Sequence, residues 1–220
     1  MDGVAPFNPL DKKNLAASVA NALVETEAVP LGALERFGGA GVYALYYSGG
    51  FYAYQPLACA NSQEARVPIY VGMAESAGKR KGGFIEGSGK AAPLFRRLND
   101  HAKSIGQASN LAIEDFTCRY LVVDDLWVAL GESLLISRYA PVWNVLVDGF
   151  GNHDPGKGRA AGKRPRWDML HPGREWAAAL PEHDDSAERI GAEAYQYLAE
   201  RVEVIVPSHS SFTFSDMGFD

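Results

Sequence analysis

Three side chains of the sequence stand where ordinary packing does not explain them. Glu132 has Val128, Ala129, Leu135 and Ile136 as its i−4, i−3, i+3 and i+4 neighbours, so on a helix it projects from an apolar face. A carboxylate in such surroundings is costly unless it is paired or metal-bound. It is therefore either the partner of a core arginine or a ligand for a hard cation. Arg97 and His101 lie at i and i+4 and flank an apolar stripe of Leu94 and Leu98, which places both on one helical face at the border of the core. Arg96 points outward and suits a phosphate contact, although basic pairs on helices are also common as plain surface ladders. The run Asn152, His153, Asp154 has the residue types of a histidine-metal loop, but in a glycine-rich turn Asn and Asp are expected anyway. No GxxxxGK[ST], GxSxG or HExxH pattern occurs, which leaves nucleotide hydrolysis, serine hydrolysis and zinc proteolysis without support.

These groups need a scaffold, and composition bounds it. With 47% hydrophobic and 22% charged residues in 220, the chain has material for one full core, so residues 1–220 are expected to form a single domain. No apolar run approaches the roughly 20 residues that cross a bilayer, and residues 1–10 lack the features of a secretory signal. A cytoplasmic protein without membrane attachment is expected. Cys59 and Cys118 lie in apolar stretches and are expected to stay free and packed.

The net charge of −6 argues against a polyanionic partner only if it is evenly spread, and it is not. Lys79, Arg80, Lys81, Lys90, Arg96, Arg97 and Lys103 cluster against two acids, and Lys157, Arg159, Lys163, Arg164, Arg166 and Arg174 against Asp168 alone. Either segment by itself fits a solvated loop. Two such segments on an acidic body fit a localised phosphate-binding surface.

Apolar periodicity predicts a helix from Asn8 and Pro9 to about Glu25, strands over 41–47, 67–72 and 116–123, and a strand continuation or hairpin return at 51–54. Residues 55–66 read as an inserted loop and 73–92 as a flexible basic loop. Pro93 opens a helix ended by Gly106, and Asp124 caps another that must stop before Pro141. Residues 143–147 are expected to be extended, and 150–176 to be a basic surface excursion. Asp185 with Glu188 starts a last helix leading into a strand over 202–206, followed by a polar tail over 208–220.

Gly41-Val42-Tyr43 followed by Ile69-Tyr70-Val71-Gly72 resembles the two signature tripeptides of the GIY-YIG nucleases. In order after them, Arg97 and His101 resemble the family's helix residues, Glu132 its metal-binding glutamate and Asn144 its late asparagine. The resemblance spans a nuclease core at 41–147 and runs on through Arg164-Pro165-Arg166-Trp167 toward Trp176. It implies an α+β fold with a small, mainly antiparallel sheet flanked by helices, terminal extensions and long basic loops. Tyr43 and Tyr70 are 27 positions apart, wider than in compact members, so the assignment of Tyr43 requires the two tyrosines to lie on paired strands.

The resemblance further implies a type II restriction endonuclease that cleaves double-stranded DNA with one Mg²⁺ held by Glu132, Mn²⁺ substituting. Tyr43 then serves as proton acceptor, Tyr70 as a ligand of the phosphate or water, Arg97 as the phosphate fork, His101 as the group tuning Tyr43, and Asn144 as the group that fixes the position of Glu132 or of the leaving group. A homodimer is expected to cut both strands of a G·C-rich palindrome, for which the resemblance suggests CCGCGG, beside a cognate DNA methyltransferase in the same cell. Trp167, Trp176, Tyr195 and Tyr197 are the expected subunit-interface residues. Arg164, Arg166 and Arg174 are the expected base readers, with Lys79, Arg80, Lys81, Lys90, Arg96, Lys157, Arg159 and Lys163 as further DNA contacts. Repair or homing nucleases of the same family, or a non-catalytic DNA-binding protein of the same fold, are the alternatives.

Overall fold

A run of alternating Val, Leu and Tyr forms a buried strand only if layers cover both of its faces. The computed structural model describes residue 8 and residues 10–76, 91–154 and 162–205. In it, β1 (Val29–Pro30), β2 (Gly41–Tyr47), β3 (Tyr70–Ala74) and β4 (Phe116–Val122) form one antiparallel sheet in the order β1-β4-β2-β3. All seven residues of β2 are buried. Around the sheet lie α1 (Lys12–Glu25), α2 (Gln55–Ala60), α3 (Pro93–Gln107), α4 (Asp125–Tyr139), α5 (Val142–Val145), α6 (Arg166–Leu170), α7 (Glu175–Ala178) and α8 (Ala187–Ile205), giving the expected α+β class.

Alternation along β2 sends Val42 toward α4 and Tyr43 toward α3. A β-carbon on Gly131 of α4 would lie 2.6 Å from a Val19 methyl of α1 and 3.4 Å from one of Val42, so the glycine lets these layers close. On the other face Tyr43 reaches His101 of α3. The register pairs Tyr43 with Gly72 and Leu45 with Tyr70, so both tyrosines stand on paired strands and on the same face. The condition set by their wide spacing is met. Residues between them are occupied in part by α2, where a loop was expected.

The cap signals hold at α4. The Asp124 carboxylate accepts the Leu126 N–H at 2.9 Å, and the helix ends at Ala140, whose φ of 41° is left-handed, just before Pro141. Elsewhere local pattern misleads. Residues 52–54 form a short 3-10 turn instead of a strand, and residues 142–145 a helical turn. The strand expected over 202–206 is the last turn of α8 as far as Ile205, because Ile205 is buried against the core. The cap of α8 is Ser186, whose hydroxyl accepts the Arg189 N–H, rather than Asp185. Both cysteines are free, Cys118 buried but Cys59 exposed.

The largest correction concerns the stretch after residue 150. Part of it is core: Phe150, Trp167 and His171 are buried and α6 packs on α8, while residues 152–154 and 162–163 are exposed. Trp167 therefore cannot serve a subunit interface, and the Tyr197 hydroxyl donates to the Ala140 carbonyl. The expected polar tail, the basic residues Lys79, Arg80, Lys81 and Lys90, and Lys157 and Arg159 lie outside the described residues.

Candidate active site

The glycines of both tripeptides are required by close approach. A β-carbon on Gly41 would meet the Leu121 carbonyl oxygen at 2.0 Å, and one on Gly72 would meet the Tyr43 hydroxyl at 2.3 Å. Gly72 thus clears the space into which Tyr43 leans across β3. There the Tyr43 hydroxyl is 2.5 Å from His101 Nε2, and the Tyr43 and Tyr70 ring centroids are 6.2 Å apart. Burial lifts the Tyr43 phenol well above its ordinary value, with Tyr70 adding to the rise and Arg97 opposing it. Burial also holds the His101 imidazole well below its ordinary value, and the Arg97 charge acts the same way. The pair is therefore neutral, and in the tautomer with the imidazole proton on Nδ1 the phenol O–H donates to Nε2.

Arg97 is the hub. Its Nη1 donates to His153 Nε2 at 2.8 Å and its Nη2 to the Gly151 carbonyl at 3.1 Å, while the Tyr43 and Tyr70 hydroxyls face the same guanidinium. Helical phase thus separates Arg97, turned inward and half-buried, from the exposed Arg96. Glu132, on α4, is half-buried with no hydrogen bond or ion pair among the described residues. Burial pushes its carboxyl above the ordinary carboxylate value, the Arg97 charge opposes this, and Glu75 at the end of β3 adds to it. As to the two open explanations for Glu132, no arginine partner lies within ion-pair distance among the described residues.

No group of three His, Cys, Asp or Glu able to hold a metal occurs among the described residues. One unpaired carboxylate with a second acid in electrostatic range fits Mg²⁺, which keeps most of its waters and takes only one or two carboxylates. A Cys- or His-rich zinc set is not what these residues form.

Asn144 acts on the scaffold rather than on Glu132. Its Nδ2 donates to the Val71 carbonyl and its Oδ1 accepts the Val71 N–H, both at 2.8 Å, so the side chain stands in for a missing strand at the edge of β3. This fixes the backbone between Tyr70 and Gly72.

The segment after α5 completes the site, and the sequence pointed to it only through the weak run Asn152-His153-Asp154, of which His153 is a partner of Arg97 rather than part of a metal group among the described residues. The Phe150 ring stacks on His101 at 4.5 Å and 17°, and Gly151 lies so close that a β-carbon there would be 2.8 Å from the Tyr70 hydroxyl. Residues 149–152 are held by Arg174, which binds the carbonyls of Gly149, Phe150 and Asn152 at 2.9, 3.0 and 3.2 Å and both carboxylate oxygens of Asp168. Its guanidinium also lies over the Trp167 and Trp176 rings at 4.5 and 4.8 Å. All five of its N–H donors have acceptors, so Arg174 is a buried clamp and not a base reader.

The other two expected readers are also engaged. Arg164 donates to the carbonyls of Ala177, Ala178 and Leu180 at the end of α7, and Arg166 pairs with Glu193 and Asp185. Lys163 pairs with Asp184 on the surface. Sequence shows a positive charge but not the acid or carbonyl that neutralises it after folding.

No helix among the described residues is long and apolar enough to cross a membrane. The family model described as the Eco29kI GIY-YIG domain matches residues 35–198, a span that holds every group of the site. A comparison with curated proteins finds no match.

Proposed function

Because the chain belongs to the Eco29kI family of GIY-YIG restriction endonucleases, we propose that it is a type II enzyme hydrolysing both strands of DNA at a G·C-rich palindrome. The observation that supports this most is the convergence of Tyr43, Tyr70, His101 and Arg97 on one patch of the sheet, with the unpaired Glu132 within electrostatic range. Arg97 binds the scissile phosphate through its planar fork, which a lysine cannot reproduce. Tyr43 orients the attacking water. As its oxygen takes the water's proton, its own proton passes to His101 Nε2; the new O–P bond forms, the ester P–O bond breaks, the leaving oxygen takes a proton from solvent water, and His101 returns its proton to solvent. Tyr70 holds a phosphate oxygen or the water. Glu132 would hold the Mg²⁺, which when bound would supply Lewis acidity and positive charge at the phosphate. Arg97 helps in the same way, since its charge favours the ionised phenol.

One site cuts one strand, so a symmetric dimer on a palindrome is part of the proposal, as are CCGCGG as the sequence and a protecting methyltransferase. With Arg164, Arg166 and Arg174 engaged inside the protein, base reading passes to the basic residues around 79–90 and 157–159.

Plasmid DNA incubated with and without Mg²⁺ tests the proposal. Discrete fragments that require the metal are expected, with Mn²⁺ substituting. Glu132→Gln is expected to abolish cleavage while DNA binding survives, and Arg97→Lys to lose most turnover. Nicks only at structured sites would point to a repair or homing activity of the family, and binding without cleavage to a non-catalytic relative.

A further inference from the structure

Every described arginine but two has a hydrogen bond or ion pair within the chain. The two are Arg36 and Arg96. Both are exposed, and together they line one concavity of about 370 Å³ with Ala91, Ala92 and Phe95.

The concavity is built by tertiary contacts. Phe37, next to Arg36, stacks on Tyr120 of β4 at 4.3 Å and 7° and meets Phe95 edge-on at 5.8 Å. Gly39 then joins the segment to the start of α3, its N–H donating to the Ala91 carbonyl at 2.9 Å and its carbonyl accepting the Leu94 N–H at 3.2 Å. The place is the positive end of a 15-residue helix with no acid in its first turn. Two unpaired guanidinium groups and this helix end make an anion site in a chain whose net charge is −6.

We infer that Arg36 and Arg96 together grip a DNA backbone phosphate neighbouring the scissile one. This rests on the nuclease function proposed for the same face. Arg96 directly precedes Arg97 on α3 and departs from it by about 100° round the helix axis. The anion it faces is therefore close to, but distinct from, the one Arg97 holds. Duplex DNA presents phosphates at such repeated spacing, and arginine forks bind them strongly. The contact sets the position of the duplex and carries no base information.

The test is equilibrium binding without divalent metal, over a range of salt, to two duplexes of unrelated sequence. For Arg36→Ala/Arg96→Ala the slope of log K against log salt is expected to be shallower by about 0.9, the loss of one phosphate contact. Each single variant should give most of that change, since both forks converge on one anion. The loss should be equal on both duplexes. Arg66→Ala, which removes an exposed arginine paired with Glu64, should leave the slope as it is. An unchanged slope in the double variant overturns the site, and so does a loss confined to one sequence, which would make the arginines base readers. If the unsubstituted protein neither binds nor cuts any duplex, the nuclease function itself fails and the phosphate site falls with it, a result separate from an unaltered slope.

Discussion

The core holds two buried tyrosine–histidine pairs of nearly the same length. The Tyr43 hydroxyl is 2.5 Å from His101 Nε2, and the Tyr54 hydroxyl is 2.6 Å from His171 Nε2. The second pair's own hydrogen bonds go to neutral neighbours. Trp143 Nε1 donates to the Tyr54 oxygen at 2.8 Å, and His171 Nδ1 meets Asn110 Oδ1 at 2.9 Å, while the Asn110 amide donates to the Leu170 carbonyl. Burial alone pulls the His171 imidazole down to about 3. The first pair has Arg97, Tyr70 and Glu132 acting on its phenol and Arg97 on its imidazole. The same phenol–imidazole hydrogen bond thus occurs in two different electrostatic settings. Arg97 and Glu132, charged groups within electrostatic range, are what set the first pair apart.

The comparison breaks most visibly at Tyr43. Tyr43→Phe is expected to slow cleavage by about 10² to 10⁴-fold, the usual contribution of a positioned proton acceptor. Single-turnover cleavage of plasmid checks this, and a rate equal to that of the unsubstituted protein would place the two pairs in one class.

Acid sharpens the contrast from the other side. A histidine held neutral in the native state, at about 3 for His171 against about 6.5 when unfolded, lets only the unfolded chain take up a proton between those values. Stability is therefore full above about pH 6.5 and declines as pH falls toward 3, by up to about 1.4 kcal/mol per pH unit for each such group. His101 acts in the same direction. Urea midpoints between about pH 7 and pH 4.5 should fall, and His171→Gln should flatten part of that slope. A slope untouched by the substitution would mean that His171 is not held neutral.

The smallest effect is expected at Tyr54. Tyr54→Phe leaves the Trp143 N–H and His171 Nε2 without a partner and should cost about 1–3 kcal/mol in urea unfolding. Below its unfolding transition the variant should still cleave at the rate of the unsubstituted protein. Loss of cleavage in the folded variant would make the second pair part of the chemistry.

Much of the site was legible because its spacing is local. Arg97 and His101 share a face by helical period, Glu132 stands among apolar neighbours, and Pro93, Asp124 and Pro141 mark helix ends by backbone chemistry that tertiary structure did not override. What stayed hidden depends on partners distant in sequence. Nothing around Arg166 announces Glu193, and nothing around Phe150 announces His101. The β-branched run at 202–205 favours a strand on propensity, yet burial of Ile205 keeps it helical. Arg36 was passed over because it stands outside both basic clusters. Its importance comes from lacking a partner, which only the fold reveals.

The Arg174 clamp bears on how this chemistry can be moved between proteins. Phe150, Gly151 and His153 complete the surroundings of His101 and Arg97, and they are held from a point some two dozen residues further on, where Arg174 sits between Trp167 and Trp176. A catalytic cassette cut after Val147 and fused to another DNA-binding module would carry the tyrosines, the arginine and the glutamate but leave Arg97 without two of its anchors. The smallest portable unit must run past Trp176, so its cutting chemistry cannot be separated from the segment that follows it.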